Sequence, residues 1–382
     1  MSPSVLFDEA VTGNGLKIGI ATLNKPSTLN GLTLDMCELL GERLRQWETD
    51  DGIVLVVLRG AGDRAFCAGG DLHAMYQGMK DNTGGAWDNA YAREFFASEY
   101  RLDYQIHSYP KPLLCWGSGI VMGGGVGLMM GASHRVVTET TRYAMPEISI
   151  GLFPDVGGTW MLSRLPGGVG LFMALTGAQL GASDCLVLGL ADYIVPADGW
   201  EALQQRIIGQ AWSTDNQSNH EQLRNLLLAS RPAENLPPGP LQIHLNEIRR
   251  VCDGFDLSAI GAGIAAWAQG DDPWLRRAGS TFVAGSPGSA RLSYALLRRA
   301  RLQSLADVFR QEYIVSLQCG VQGDLQEGIR ALLIDKDKQP AWNPPSLETA
   351  TEAWVQRFFQ RPWPASVPHP LSDLGAPADP AH

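Results

Sequence analysis

The sequence predicts an α/β protein, a core in which strands alternate with helices followed by an α-helical C-terminal region. Three observations carry this. Near-continuous apolar runs of strand length recur through the first half, amphipathic helical spacing separates them, and strand signals fade after about Pro196. With 382 residues and 45% hydrophobic content the chain can bury a sizeable core, in one large domain or two ordinary ones.

The first strand expected is KIGIATL, Lys17 to Leu23, and after it Leu34, Cys37, Leu40, Leu44 and Trp47 mark one face of an amphipathic helix. IVLVVLRG follows, apolar almost throughout, as suits a strand covered on both faces; LLCWG (Leu113 to Gly117) and HRVVT (His134 to Thr138) extend the series. The expected organisation is a core over residues 1–196, a helical region over 197–363 and a flexible tail over 364–382. The tail, PASVPHPLSDLGAPADPAH, is too rich in proline and too poor in apolar residues to fold alone.

Composition excludes several classes of function. No run approaches the 18 or so uninterrupted apolar residues of a membrane helix. A net charge of −10 speaks against a nucleic-acid surface, although a local basic cluster could still hold a phosphate-bearing ligand. The segment MSPSVLFDEAVTGNG has no basic residue ahead of Lys17 and so lacks a secretory or transit pattern, which makes the cytoplasm the expected location. Six cysteines without a CxxC pair read as reduced, buried thiols, and seven scattered histidines lack metal spacing, so no metal is expected.

Two segments are rich in glycine where helices and strands avoid it: AFCAGGDL (Ala65 to Leu72) and GIVMGGGVGL (Gly119 to Leu128). Each can expose consecutive backbone N–H groups ahead of a helix, with Gly70, Asp71, Gly124 and Gly125 as donor positions; the plainer reading is tight turns or close packing. Neither has the GxGxxG spacing of a dinucleotide site, and no Walker loop or GxSxG elbow occurs. Further on, YAMPEISIGLFPDVGGTWMLSRLPG places Glu147 and Asp155 in an apolar setting, where carboxylates are costly unless paired or used. From the residues alone Glu147 could equally be a salt-bridged loop acid, and Asp155 reads as the N-cap of a helix beginning near Val156.

AFCAGGDL, MGGGVGL, MPEISIGLFPDVGG and TGAQL followed by GLADYIV resemble, in order and spacing, the enoyl-CoA hydratase/isomerase (crotonase) superfamily. Through MGGGVGL, AMPEISIGLFPDVGG and DLQEGIRALLIDKDKQPAW (Asp324 to Trp342) the chain is most similar to the 3-hydroxyisobutyryl-CoA hydrolase family, over roughly Lys17 to Pro345. The resemblance implies a spiral core of stacked ββα units followed by helices, and an acyl-CoA substrate whose coenzyme A is part of the substrate, with no separate cofactor. It implies that the N–H groups of Gly70 and Gly124 form an oxyanion hole, and that Gly124 and Glu99 contact substrate, Glu99 at the β-hydroxyl. Glu147 and Asp155 are the implied catalytic acids. Glu147 either attacks the thioester or acts as general base on water; Asp155 holds the lytic water or the substrate hydroxyl. For Glu99, in FFASEYRLDY, a solvent-facing helix glutamate is the plainer alternative.

Gly127 stands where hydratases of the superfamily carry a second catalytic glutamate, and Asp155 where they usually carry a small residue. These departures point to hydrolysis of a short β-hydroxyacyl-CoA, 3-hydroxyisobutyryl-CoA above all, which would belong to valine degradation. Gly323 and Leu325 replace the histidine and aromatic residue of the hydrolase pattern, leaving the acyl group less defined than the reaction. The competing readings are an enoyl-CoA hydratase or isomerase working with Glu147 alone, and a non-catalytic acyl-CoA binder. Related folds commonly associate through their helical regions, so a homo-oligomer is compatible with the reading.

Overall fold

In the computed structural model, which describes residues 2–234 and 236–376, the chain opens with an antiparallel pair, β1 (Val5–Val11) and β2 (Lys17–Leu23). Helix α1 (Leu34–Thr49) then buries Cys37, Leu40, Leu44 and Trp47, the face its spacing predicts, and leads into β3 (Ile53–Gly60). Three strand pairs follow one plan, with the first strand of each in a large sheet and the second in a small one: β3 with β4 (Ala65–Cys67), β5 (Leu113–Gly117) with β6 (Ile120–Met122), and β7 (His134–Val137) with β8 (Arg142–Ala144). Helices α2 (Leu72–Asp81) and α3 (Ala90–His107) follow the first pair, and α4 (Gly124–Met130) follows the second.

The large sheet has the order β1-β2-β3-β5-β7-β9, with β9 at Tyr193–Ile194, and is parallel from β2 onward; the small sheet, β4-β6-β8, is parallel throughout. Parallel strands need both faces covered. Ile20, Val57, Leu114, Trp116 and Val136 accordingly pack into one core with Leu203, Ile207, Leu223 and Leu227 from helices later in the chain. The strands read from the sequence are thus β2, β3, β5 and β7, and no described strand lies beyond Ile194.

Packing divides the described residues into two interleaved units, one of residues 2–71, 105–146 and 178–253, the other of 72–104, 147–177 and 254–376. This differs from the sequential division expected at residue 196. The physical reason is that α2 and most of α3, though they lie between strands in sequence, bury their apolar faces with the C-terminal helices, as where the Tyr100 ring meets Phe309 at 5.7 Å. No described helix is long and apolar enough to cross a membrane.

The flexible tail expected from residue 364 is a second difference. Leu371 and Leu374 are buried, Arg101 pairs with Asp373 at 2.6 Å, and the Arg310 Nε donates to the Leu371 carbonyl at 3.1 Å. Composition hides this because the partners that hold the segment are arginines on distant helices. Residues 377–382 of the expected tail lie outside the described residues.

Candidate active site

The first unit carries the two glycine loops side by side. Gly70 follows β4 and bridges to Leu32, while the Asp71 N–H donates to the Leu32 carbonyl at 2.7 Å. Gly69 has φ +106°, where a side chain is strained, and a Cβ on it would lie 3.7 Å from the Gly124 nitrogen. In α4 the N–H groups of Val126 and Gly127 both close on the Gly123 carbonyl, so those of Gly124 and Gly125 precede the first intrahelical bond. Gly125 is required by contact: a Cβ there would stand 2.3 Å from the Cys67 carbonyl oxygen. Gly125→Ala is therefore expected to cost about 3 kcal/mol, seen as a lowered melting temperature; an unchanged melt would mean that α4 is not held against β4.

The second unit gathers the acids. Glu147 opens a single 3₁₀ turn, Glu147–Ile150, and is 4% exposed; its Oε2 makes no hydrogen bond to any described residue. Asp155 is 5% exposed and accepts a hydrogen bond on Oδ2 from the Tyr100 hydroxyl at 2.7 Å. The plainer alternative for Asp155, a helix N-cap, does not hold. The next helix, α5 (Gly158–Leu162), is capped by Gly157, and Val156 between them adopts φ +52°, a strained conformation for a β-branched residue. The Asp155 side chain is thereby turned inward and away from the helix end.

Glu99 is 2% exposed, so the solvent-facing alternative does not hold. Burial, then the charges of Asp155 and Glu147, push its carboxyl well above the usual range. Burial and the charge of Asp155 do the same to Glu147. Asp155 is pushed by burial to about 6, with the Tyr100 hydroxyl pulling the other way. Glu99, Glu147 and Asp155 are thus brought into one electrostatic cluster within the second unit.

Two further acids, which no sequence motif marks, belong to this cluster. Asp103, one helical turn after Glu99, is wholly buried with neither carboxyl oxygen hydrogen-bonded to a described residue, and burial raises its pKa strongly. Glu312, on the helix Leu305–Gln322, accepts from the Gly157 N–H at 2.7 Å, the Thr159 N–H at 3.2 Å and the Thr159 hydroxyl, fixing the turn that follows Asp155. Burial pushes Glu312 up to about 8 against those donors. A signal was available for both. Asp103 continues the stripe Ala92, Phe95/Phe96, Glu99, and Glu312 the stripe Val308/Phe309, Val315/Ser316, Cys319, so each acid occupies a position where helical periodicity calls for an apolar side chain.

The pattern of the family Enoyl-CoA hydratase/isomerase matches residues 18–359. The chain belongs to that family. Its fold is the crotonase fold, and the carnitinyl-CoA dehydratase of Mycobacterium thermoresistibile superposes with a TM-score of 0.80 at 39% identity, covering 94% of this chain and 97% of that one. An enoyl-CoA hydratase of Rhodobacter sphaeroides 2.4.1 gives 0.79 at 32% identity with the same coverage. Among curated relatives, the mitochondrial 3-hydroxyisobutyryl-CoA hydrolase of Danio rerio is 36% identical over 343 residues, 90% of this chain and 87% of its own length. The 3-hydroxyisobutyryl-CoA hydrolase 1 of Arabidopsis thaliana is 35% identical over 348 residues, 90% and 89% of the two chains. Within the family, Gly127 lies buried in α4 and brings no acid to that helix.

Proposed function

We propose that the protein hydrolyses short β-hydroxyacyl-CoA thioesters, 3-hydroxyisobutyryl-CoA first among them. The observation that carries the reading is the buried Glu147, whose Oε2 has no hydrogen-bond partner among the described residues, in one cluster with an Asp155 whose pKa is pushed up to about 6. A buried carboxylate oxygen without a partner is costly to keep, and a site that uses it in chemistry gives it a reason. The identity with relatives named 3-hydroxyisobutyryl-CoA hydrolase supports the same reading.

In this reading the N–H groups of Gly70 and Gly124 stabilise the oxyanion as the thioester carbonyl is attacked. Burial and the charge of Asp155 favour the neutral form of Glu147, so it must lose its proton before it acts, and two courses are then open to it. As nucleophile it forms a mixed anhydride and expels the thiolate of coenzyme A, after which water cleaves the anhydride; as base it takes a proton from water as the water oxygen attacks and the carbon–sulfur bond breaks. In either course Asp155, ionised above about 6, orients the water or the substrate hydroxyl. Glu99, held neutral by its surroundings, donates to the β-hydroxyl. Coenzyme A enters as part of the substrate and no further cofactor is required. Six buried thiols fit a reducing compartment such as the cytoplasm.

The likeness to a carnitinyl-CoA dehydratase and to an enoyl-CoA hydratase favours a second reading, hydration of an enoyl-CoA. Against it stands Gly127, which leaves hydration with one acid where two are used.

Acyl preference tests the assignment. Thiol release from 3-hydroxyisobutyryl-CoA is expected to exceed that from isobutyryl-CoA by about 10²-fold or more in kcat/KM, because a site built to hydrogen-bond a hydroxyl rejects the analogue lacking it. Equal values would remove the β-hydroxyl contact.

A further inference from the structure

We infer that Tyr100 is a positioning residue that holds Asp155 in its ionised form, and that Ser316 completes the relay. The inference rests on the hydrolase reading for its kinetic consequence and on geometry for its substance. Tyr100 is wholly buried, and its single hydroxyl proton is committed to Asp155 Oδ2 at 2.7 Å. Ser316, also wholly buried, lies 2.7 Å from the same phenolic oxygen and must therefore be the donor to it. The order is Ser316 to Tyr100 to Asp155. The ring is fixed by Phe96 and Phe309, each with its centroid 5.7 Å away, so the hydroxyl has little freedom to turn elsewhere.

The surroundings of Asp155 make this bond matter. Facing the cluster are Glu99 and Asp103 from α3, Glu147 from the 3₁₀ turn, and Glu312 and the Cys319 thiol from the helix Leu305–Gln322. All are acids, so none favours a carboxylate at position 155. The Tyr100 hydroxyl is the largest influence in that direction, ahead of the backbone hydrogen bond within Asp155 itself. A hydrogen bond to the charged form of a carboxyl lowers its pKa, and chains of such bonds reinforce one another.

Tyr100→Phe removes the hydroxyl and keeps the ring. The acid limb of thiol release from 3-hydroxyisobutyryl-CoA is expected to move up by on the order of one pH unit. The rate should then fall about tenfold below the limb and largely recover at pH 9. A purely structural role would lower the rate at every pH and leave the limb in place. Ser316→Ala should shift it in the same direction by less.

The same shift is read without turnover from the ¹³C-carboxyl resonance of Asp155 in aspartate-labelled protein, assigned by its loss in Asp155→Asn. If the wild type releases no thiol, the hydrolase reading fails while the resonance still judges the relay. A wild-type titration of Asp155 in Tyr100→Phe overturns the inference. Should that variant not fold, an unshifted resonance in Ser316→Ala does so.

Discussion

Glu147→Gln is expected to lower thiol release from 3-hydroxyisobutyryl-CoA by about 10²- to 10⁴-fold without loss of stability. The kinetic range is what a positioned base contributes, and the loss of a nucleophile reaches the upper end or beyond. The stability expectation follows from linkage. Burial and the charge of Asp155 raise the Glu147 pKa in the folded protein above its unfolded value. The neutral form thus contributes stability that is fully present below the unfolded pKa, and that contribution fades as pH rises toward the folded value. Glutamine is neutral at every pH and of the same size, so at pH 8 the variant should melt at or above the wild-type temperature. Full activity in Glu147→Gln, or a collapse of its melting temperature, would each contradict the role assigned to Glu147.

The second large effect concerns the turn after Asp155. Glu312→Ala removes the common acceptor for the Gly157 N–H, the Thr159 N–H and the Thr159 hydroxyl, leaving buried donors unpaired. Each such donor costs about 1–3 kcal/mol, offset in part by relief from burying an acid whose own pKa is pushed to about 8. A net loss of about 3 kcal/mol is expected, which for a chain of 382 residues is a fall in melting temperature of roughly 4 °C. Because Val156 sits at φ +52° and the clamp holds that strained turn, the Asp155 carboxylate should lose its placement and thiol release should fall at least tenfold. Glu312→Gln retains one acceptor and should lie between. An unchanged melt would show that the strain is supported elsewhere.

The parts of the fold legible in the sequence are those whose physics is local. β2, β3, β5 and β7 are interior strands of the large sheet, and their apolar runs announce it. β1 is not legible because, at the sheet edge, VLFDEAV carries both acids and exposed positions. β4, β6 and β8 are three residues each, too short for a period to register. Glu147 and Asp155 could be singled out because acids in an apolar segment are conspicuous, whereas α3 and the helix Leu305–Gln322 carry enough other charge to mask Asp103 and Glu312. The cap reading of Asp155 failed because it presumed a helix at Val156, where the chain instead turns at positive φ. The anchoring of the tail is not legible because composition reports what a segment can bury by itself, and here Arg101 and Arg310 supply the hold.

The most direct test follows free thiol from 3-hydroxyisobutyryl-CoA with a thiol-reactive dye, while the absorbance of crotonyl-CoA is monitored on the same preparation. Rapid thiol release that disappears in Glu147→Gln, with crotonyl-CoA unchanged, is the expected result. Loss of enoyl absorbance without thiol would contradict it, making the protein a hydratase in which Asp155 has no part in hydrolysis.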